Sequence, residues 1–267
     1  MHVRQLLLAV TLSLLLVACD GGGTGGGGGG AGTGGGGAEA GGGSITIPSQ
    51  PEPTAPTLGE ILAQENASRL AREQKVLNDA GILGPRLNDF WTRELSSRYQ
   101  LTFDAPDRYE WYRGEQQTSC GGVTEPRADN AYYCFPEHEE HVAFDLAWFQ
   151  QYLVNHPGGA TTFLILAHEW GHAVQDTWLE NGGGDTWNPA SRKELNADCL
   201  AGVFLAASIR DGTIVEEAGD ADAIFGWLYE EGSSPWLARG THGTRDERQA
   251  AFVDGFHQGT AFCRANY

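Results

Sequence analysis

Basic residues are scarce in this sequence. Lysine and arginine together number 17 against 35 aspartate and glutamate residues, which gives a formal net charge of −18. A protein that binds nucleic acid needs a basic surface, and electrostatic attachment to anionic lipids needs one too. The composition therefore argues against nucleic acid as a partner and against attachment to a membrane through surface charge.

Long apolar runs are limited to one at the N-terminus. Residues 1–18 combine a positive charge at Arg4 with an apolar stretch, Leu6–Val17, that is short for a spanning helix and typical of a signal peptide. The segment ends in Leu-Val-Ala-Cys19, which resembles the bacterial lipobox, whose cysteine is acylated. We predict a lipid on Cys19 that anchors the protein to a bacterial membrane, facing the periplasm or exterior. The alternative is an ordinary signal peptide that leaves Cys19 as a spare thiol.

The segment after Cys19 is typical of a flexible tether. Seventeen of the 23 residues of Gly21–Gly43 are glycine, and four prolines follow between positions 48 and 56. Glycine-rich chains behave as flexible coils, and proline makes the following piece stiffer. We therefore predict a lipidated tether over residues 19–56 and one folded domain over residues 57–267.

Cysteines are few, and no CxxC pair is present to indicate a cysteine-ligated metal. Four cysteines remain besides Cys19, an even number in a chain predicted to be exported, which indicates two disulfides. Three pairings are possible. We favour Cys120 with Cys134, which closes a short loop, and Cys199 with Cys263.

The folded part has both helical and strand patterns, so its class is α+β with a small antiparallel sheet. Apolar spacing predicts helices over Thr57–Ala80, Leu87–Leu95, Thr161–Glu180 and Asn188–Arg210, with another beginning at Ala147. The first of these helices is expected to end at Gly81 and Gly84-Pro85. Alternation predicts strands over Tyr99–Phe103, Ala131–Phe135 and His141–Phe144.

The first of the two long helices contains an HExxH motif, His168-Glu169-Trp-Gly-His172. Positions i and i+4 lie one turn apart on one helix face, so both imidazoles can bind one ion, and zinc suits such ligands. Glu169 lies about 100° around the helix, where it can act as the general base on water. The preceding apolar run, from Ala160 to Ala167, predicts burial, and buried polar residues need partners such as a metal.

A catalytic zinc site needs a third protein ligand, and the second long helix offers two carboxylates one turn apart. We predict Glu194 as the ligand and Asp198 as the hydrogen-bond acceptor that fixes a ligand imidazole. The competing interpretation is a capping box, Ser191-x-x-Glu194, at the helix start. We favour Asn188 as N-cap with Pro189 at the first helical position, which leaves Glu194 free for the metal.

These motifs together resemble the putative neutral zinc metallopeptidase family of bacteria, which shows HExGHxxQ followed by ELxADCxAG. The likeness runs from about residue 87 to residue 263. The matching segments are His168–Gln175, Glu194–Gly202, Cys120-Gly121, Tyr132–Cys134, Phe144–Leu146, Thr241–Thr244, Arg248, Phe252, Gly255 and Cys263.

The resemblance implies a zincin-like fold, a glutamate as third zinc ligand, and the disulfide pairing favoured above. This sequence departs from the family between Phe135 and His141, where its turn is longer and more acidic. We interpret that turn as solvated, in preference to a second metal site at His138 and His141. His242 is a further candidate, because a histidine opposite the zinc can donate a hydrogen bond to the oxyanion of the reaction.

The leading functional hypothesis is a zinc metalloendopeptidase that acts on peptide or protein substrates outside the cytoplasm. An edge strand near Val142–Phe144 is expected to align the substrate by β-addition. A second hypothesis is a hydrolase of peptidoglycan peptides, which a membrane tether would suit. A third is a zinc-stabilised binding module without turnover, against which the intact Glu169 argues.

Overall fold

The computed structural model describes residues 56–114, 117–121, 123–126, 128–135, 140–183, 190–232 and 242–267. The predicted signal peptide, Cys19 and nearly all of the tether lie outside the described residues. The helices are α1 Leu58–Tyr99, α2 Leu146–Asn155, α3 Ala160–Glu180, α4 Ala190–Arg210, α5 Asp220–Glu230, α6 Arg245–Gln258 and α7 Thr260–Asn266. The strands are β1 Arg108–Tyr112, β2 Gln117–Cys120, β3 Val123–Pro126, β4 Ala131–Cys134 and β5 His141–Asp145. Within the described ranges, no helix is long and apolar enough to cross a membrane.

Helix α1 is one helix of 42 residues and not the two predicted. It begins with a capping box between Thr57 and Glu60 and continues through Pro85. Proline removes one helical hydrogen bond, which is a local cost of about 3 kcal/mol. Burial of Leu83, Leu87, Trp91 and Leu95 on one face outweighs this cost, because each large apolar side chain contributes about 1.5–3 kcal/mol.

The predicted strand over Tyr99–Phe103 is wrong. Tyr99 is the last residue of α1, and Gln100 follows as its C-cap with φ 55°. A left-handed residue of this kind ends the helix and turns the chain away. Phe103 is then buried by the loop without joining the sheet. Alternation of apolar residues over so short a segment does not distinguish a strand from a loop that packs on a core.

The main sheet is mixed, whereas the sequence analysis expected an antiparallel one. Its order is β1-β5-β4, with β1 parallel and β4 antiparallel to β5, and β2 and β3 form a separate hairpin. Alternation has the same period in parallel and antiparallel strands, so the pattern does not give the direction of a strand. It predicted β4 and β5 but not their neighbour β1. Strand β5 lies in the middle, so the expected edge strand at Val142–Phe144 is also wrong.

Both favoured disulfides are present. Cys120 pairs with Cys134 across 14 positions, and Cys199 pairs with Cys263 across 64 positions. By the entropy of loop closure, they stabilise the fold by about 3 and about 4 kcal/mol respectively. The second joins α4 to α7 and so holds the C-terminus against one of the two long helices.

The long helices α3 and α4 pack against each other in the core, with α6 on the other side of α4. A Cβ on Gly255 of α6 would lie 1.7 Å from the carbonyl oxygen of Cys199 on α4. No residue but glycine is compatible with this approach. The close packing of α6 on α4 is what brings a distant part of the chain next to the residues of the predicted metal site.

Candidate metal centre

The HExxH motif lies in the buried middle of α3, which matches the helix predicted over Thr161–Glu180. His168, Glu169 and His172 are 4%, 6% and 9% exposed. Nearly every residue between Ala160 and Trp178 is buried, because α3 passes between the sheet, α1, α4 and α5. The helix spacing and the burial inferred from the apolar run therefore agree with the structure.

Gly171 lets α4 approach α3 at the level of the motif. A Cβ added there would lie 3.0 Å from the Cα atom and 3.1 Å from the carbonyl oxygen of Ala197. These contacts are with backbone and cannot be relieved by a rotamer change. The glycine between the two histidines thus sets the distance at which α4 side chains meet them.

Helix α4 places Glu194 between the two imidazoles. Its Oε2 atom lies 3.2 Å from His168 Nε2, and its Oε1 atom lies 3.6 Å from His172 Nε2. One ligand atom from each of the three side chains lies within 4.8 Å of the others. Two imidazole nitrogens and one carboxylate match the donor set that zinc takes in catalytic sites. The residues present therefore fit a zinc ion.

The alternative interpretation of Ser191 and Glu194 as a capping box is wrong. Helix α4 begins at Ala190, so Ser191 is already inside the helix, and the Glu194 carboxylate faces α3. The predicted cap at Asn188 and Pro189 lies outside the described residues.

Asp198 lies one turn after Glu194 and is completely buried. Its Oδ1 atom lies 2.8 Å from His168 Nδ1. A carboxylate accepts and does not donate, so Nδ1 carries a proton, and Nε2 is the nitrogen that faces Glu194 and would be available to a metal. This is the arrangement predicted from the i and i+4 spacing of the two carboxylates.

Arg248 holds Asp198 from the opposite side. Its Nε and Nη2 atoms donate to Oδ2 and Oδ1 at 2.7 Å each, and its guanidinium stacks on the Trp227 ring at 4.7 Å. Burial alone would raise the pKa of Asp198, but Arg248 and then His168 outweigh it and lower that pKa. The carboxylate is therefore kept ionised in the core, beside the imidazole of His168 that it orients.

Gln175 places an acceptor oxygen at the Nδ1 atom of His172, as Asp198 does at the Nδ1 atom of His168. Its Nε2 atom donates to the Lys193 carbonyl at 2.7 Å and to Asn196 Oδ1 at 2.9 Å. The other end of the amide must then be oxygen, and it lies 2.9 Å from His172 Nδ1. That ring therefore also carries its proton on Nδ1 and directs Nε2 toward Glu194.

The charges of the site favour a cation. Burial by itself would raise the pKa of Glu194, but His172 and His168 outweigh it and lower that pKa. Burial would lower the pKa of His168, but Asp198 and Glu194 raise it to about 10. The carboxylates of Asp198 and Glu194 thus stabilise positive charge on the buried His168 imidazole. A divalent ion bound at this place would interact favourably with the same carboxylates.

A cleft of about 340 Å³ opens over these residues. Glu169 lines it beside the two histidines, and its walls include Tyr132 and Tyr133 of β4. His242 lies at the rim, half exposed, with Nδ1 3.2 Å from Glu194 Oε2. The structure therefore brings His168, Glu169, His172, Glu194 and His242 to one cleft, and Asp198 lies buried behind His168.

Two side chains with clear contacts to the site were assigned no role from sequence. Gln175 and Arg248 were noticed only as matching positions of a family pattern. The spacing of His172 and Gln175, three residues apart on one helix face, was an available signal. No local signal pointed to Arg248, which lies 50 positions after its partner.

Comparison with known proteins agrees with the resemblance noted from sequence. The family model described as putative neutral zinc metallopeptidase matches residues 57–265. The match begins at residue 57 rather than about 87, so α1 belongs to the family domain, contrary to the sequence analysis. No curated protein and no solved structure matches the chain significantly. Because the match covers most of the sequence, the chain belongs to the putative neutral zinc metallopeptidase family.

Proposed function

We propose that this protein is a zinc-dependent metalloendopeptidase that hydrolyses peptide bonds outside the cytoplasm. The observation that carries the proposal is the convergence of His168 Nε2, His172 Nε2 and the Glu194 carboxylate in a cleft that Glu169 also lines. When bound, zinc supplies a Lewis acid that polarises the peptide carbonyl and activates water.

Glu169 is the proposed general base. It follows His168 on α3, so its carboxylate lies beside the three ligands and not among them. From there it takes a proton from the attacking water and later gives it to the leaving amine. Its position in the cleft wall gives it access to both the water and the scissile bond.

His242 is the proposed oxyanion donor. It belongs to the loop before α6, and its position at the rim supports a hydrogen bond to substrate from the side away from α3. Such a donor is worth about 10²–10³-fold in rate.

Strand β4 is the proposed substrate-aligning edge. Within the described strands it pairs only with β5, and Ala131, Tyr132 and Tyr133 line the cleft, which supports pairing of an extended peptide along its other edge. Addition of a substrate strand there would satisfy backbone groups of both chains. This edge replaces the one expected at Val142–Phe144.

The proposal is tested by peptide-library profiling of the zinc-loaded full-length chain, with casein and purified muropeptides assayed in parallel. We expect cleavage of peptides that a chelator abolishes and zinc restores. Glu169→Gln should keep one zinc per chain and lose about 10²–10⁴-fold in rate. Glu65→Gln, the same change on an exposed turn of α1, is the matched control.

Each other outcome has a defined meaning. Cleavage of muropeptides alone would select the peptidoglycan hydrolase. Zinc binding without turnover on any substrate would select the binding module. A Glu169→Gln variant as fast as the parent would overturn the assignment of the base.

Anchoring through Cys19 is the cellular part of the proposal and is supported by the lipobox-like sequence. Cys19→Ala should abolish incorporation of a labelled fatty acid and release the chain from the membrane fraction. Unchanged labelling of that variant would contradict a lipid on Cys19.

A further inference from the structure

The cleft that contains the proposed zinc ligands has two chemically different ends. They lie at the two ends of β4, because Asp129 and Asn130 precede that strand, Phe135 follows it, and all of them line the cleft. A strand rises about 3.3 Å per residue, so β4 separates the two ends by roughly 10 Å or more. An extended substrate that pairs with β4 would therefore place different side chains at each end.

Asp129 and Glu231 bring two carboxylates to one end of the cleft. Asp129 lies in the turn before β4, Glu231 is the C-cap of α5, and both are exposed residues that line the cleft. Burial first, and then charges that include those of Glu231 and Asp129, raise the pKa of Tyr152. The two carboxylates therefore act on the same place, although they come from distant segments of the chain.

Neither carboxylate has a partner in the part of the chain that the structure describes. No group there donates a hydrogen bond to the side chain of Asp129 or Glu231, and no basic side chain forms an ion pair with either. Asp129 is held by its backbone, whose N–H donates to Asp145 Oδ2 at 3.0 Å. Arg248 also lines the cleft, but its guanidinium is already bound to Asp198. The negative charge at this end is therefore available to a bound peptide.

An aromatic ring and a helix end at the same place also favour a cation. The half-buried Trp148 lines the cleft, and its ring makes an edge contact with Tyr152 at 5.3 Å between centroids. An indole face attracts a cation and packs well against the methylene groups of a lysine or arginine. Glu231 caps the C-terminus of α5, whose last turn has no basic residue, so the negative end of the helix dipole lies there too. A long basic side chain matches all of these features.

The opposite end of the cleft has the reverse character. The exposed Phe135 ring there lies beside the Lys193 ammonium, whose Nζ atom is 5.5 Å from the ring centroid, and both residues line the cleft. The turn beyond Phe135 was interpreted from sequence as solvated, yet Glu140 and His141, where it ends, are buried. Because Lys193 repels like charge, a basic side chain is favoured at the Asp129 end and disfavoured at this one.

We propose that Asp129, Trp148 and Glu231 form a subsite for a lysine or arginine side chain of the substrate, within about three residues of the cleaved bond. The inference rests on the proposed function, because the same cleft has to bind the peptide that is cut. It names the substrate class as basic peptides and proteins. The net charge of −18 attracts such molecules at long range as well.

The test measures binding without turnover. It uses the zinc-loaded full-length chain with Glu169→Gln and two labelled, end-blocked peptide pools of equal length that differ only in one fixed central residue, Lys or Gln. We expect the Lys pool to bind about three- to tenfold tighter than the Gln pool, as for two partly screened carboxylates, and added NaCl should reduce this ratio. Equal affinity for both pools, or no binding of either at millimolar concentration, would overturn the proposal.

Neutral variants in the same Glu169→Gln background identify the subsite. Asp129→Asn combined with Glu231→Gln should bring the ratio of affinities to about one while zinc content and Tm stay unchanged. Asparagine tolerates the left-handed backbone of Asp129, with φ 53°, as aspartate does, so this change removes only the charge. Glu216→Gln, an exposed residue that does not line the cleft, is the matched control and should keep the ratio. An unchanged ratio in the double variant would refute the subsite.

Failure of the subsite and failure of the proposed function give different results. A preference for the Lys pool in binding, with no cleavage of any peptide by the parent, would support the subsite and refute the peptidase. Zinc-dependent cleavage by the parent, with no preference for the Lys pool in binding, would support the peptidase and refute the subsite.

Discussion

Arg248 and Asp198 form a two-point ion pair in the core, with both N–H···O distances at 2.7 Å and the two residues 1% and 0% exposed. Asp198 in turn contacts the Nδ1 atom of the proposed metal ligand His168. Helix α6 thereby fixes the orientation of a ligand on α3 through a carboxylate on α4. The position of one proposed zinc ligand depends on the packing of three helices.

Arg248→Met is expected to destabilise the fold by about 3–5 kcal/mol, because it leaves the Asp198 charge buried and uncompensated. The double variant with Asp198→Leu should cost less than Arg248→Met alone, since the orphaned charge is then gone. Chemical denaturation of the metal-free proteins measures both. A double variant that is less stable than the single one would contradict this account of the pair.

Gln175→Leu is expected to weaken zinc binding by about 10–100-fold, because His172 Nδ1 loses its acceptor and the ring is no longer held. Gln175→Glu should lower Tm but keep more of the zinc affinity, because a carboxylate still accepts from Nδ1 while it faces the Lys193 carbonyl unfavourably. Competition with a chromophoric chelator gives the affinities. Equal zinc affinity in both variants would show that the amide oxygen has no role in orienting the ring.

His242→Ala is expected to lower kcat by about 10²-fold with little change in KM or zinc content, as for loss of an oxyanion donor. His257→Ala, on the exposed side of α6, is the control. The measurement is steady-state kinetics on a peptide selected from the library. A raised KM with unchanged kcat would instead assign His242 to substrate binding.

Glu73 makes the stability of the domain depend on acid pH. The Arg113 guanidinium binds both its oxygens, with Arg69 on the same carboxylate, and holds the pKa of Glu73 below its usual 4.5. A lowered folded-state pKa means stability that is present above pH 4.5 and lost as pH falls through the folded value. Glu73→Gln should therefore cost about 1–2 kcal/mol at neutral pH and little in acid. Urea denaturation of the parent and the variant from neutral to acid pH measures this difference in the free energy of unfolding. A difference that does not change with pH would contradict a link between Glu73 and the pH dependence of stability.

The sequence by itself determined the features that depend on spacing within one helix. His168 and His172, and likewise Glu194 and Asp198, lie one turn apart because the α-helical repeat puts positions i and i+4 on one face. The role proposed for Glu169 and the contact of Asp198 with His168 followed from that geometry, and the parity of the cysteines indicated the number of disulfides. These inferences needed no knowledge of which elements pack together.

The tertiary structure decided everything that joins distant segments. Glu194 faces the two histidines of α3 and not a helix cap because Gly171 allows α4 to approach α3 closely. Pro85 remains inside α1 because burial of one face outweighs a lost hydrogen bond. The direction of β1 beside β5, the reach of Arg248 to Asp198 and the convergence of Asp129 and Glu231 on one cleft have no local signature. Contacts between helices and strands depend on how their whole faces pack, and a sequence pattern confined to a few residues contains no information about that packing.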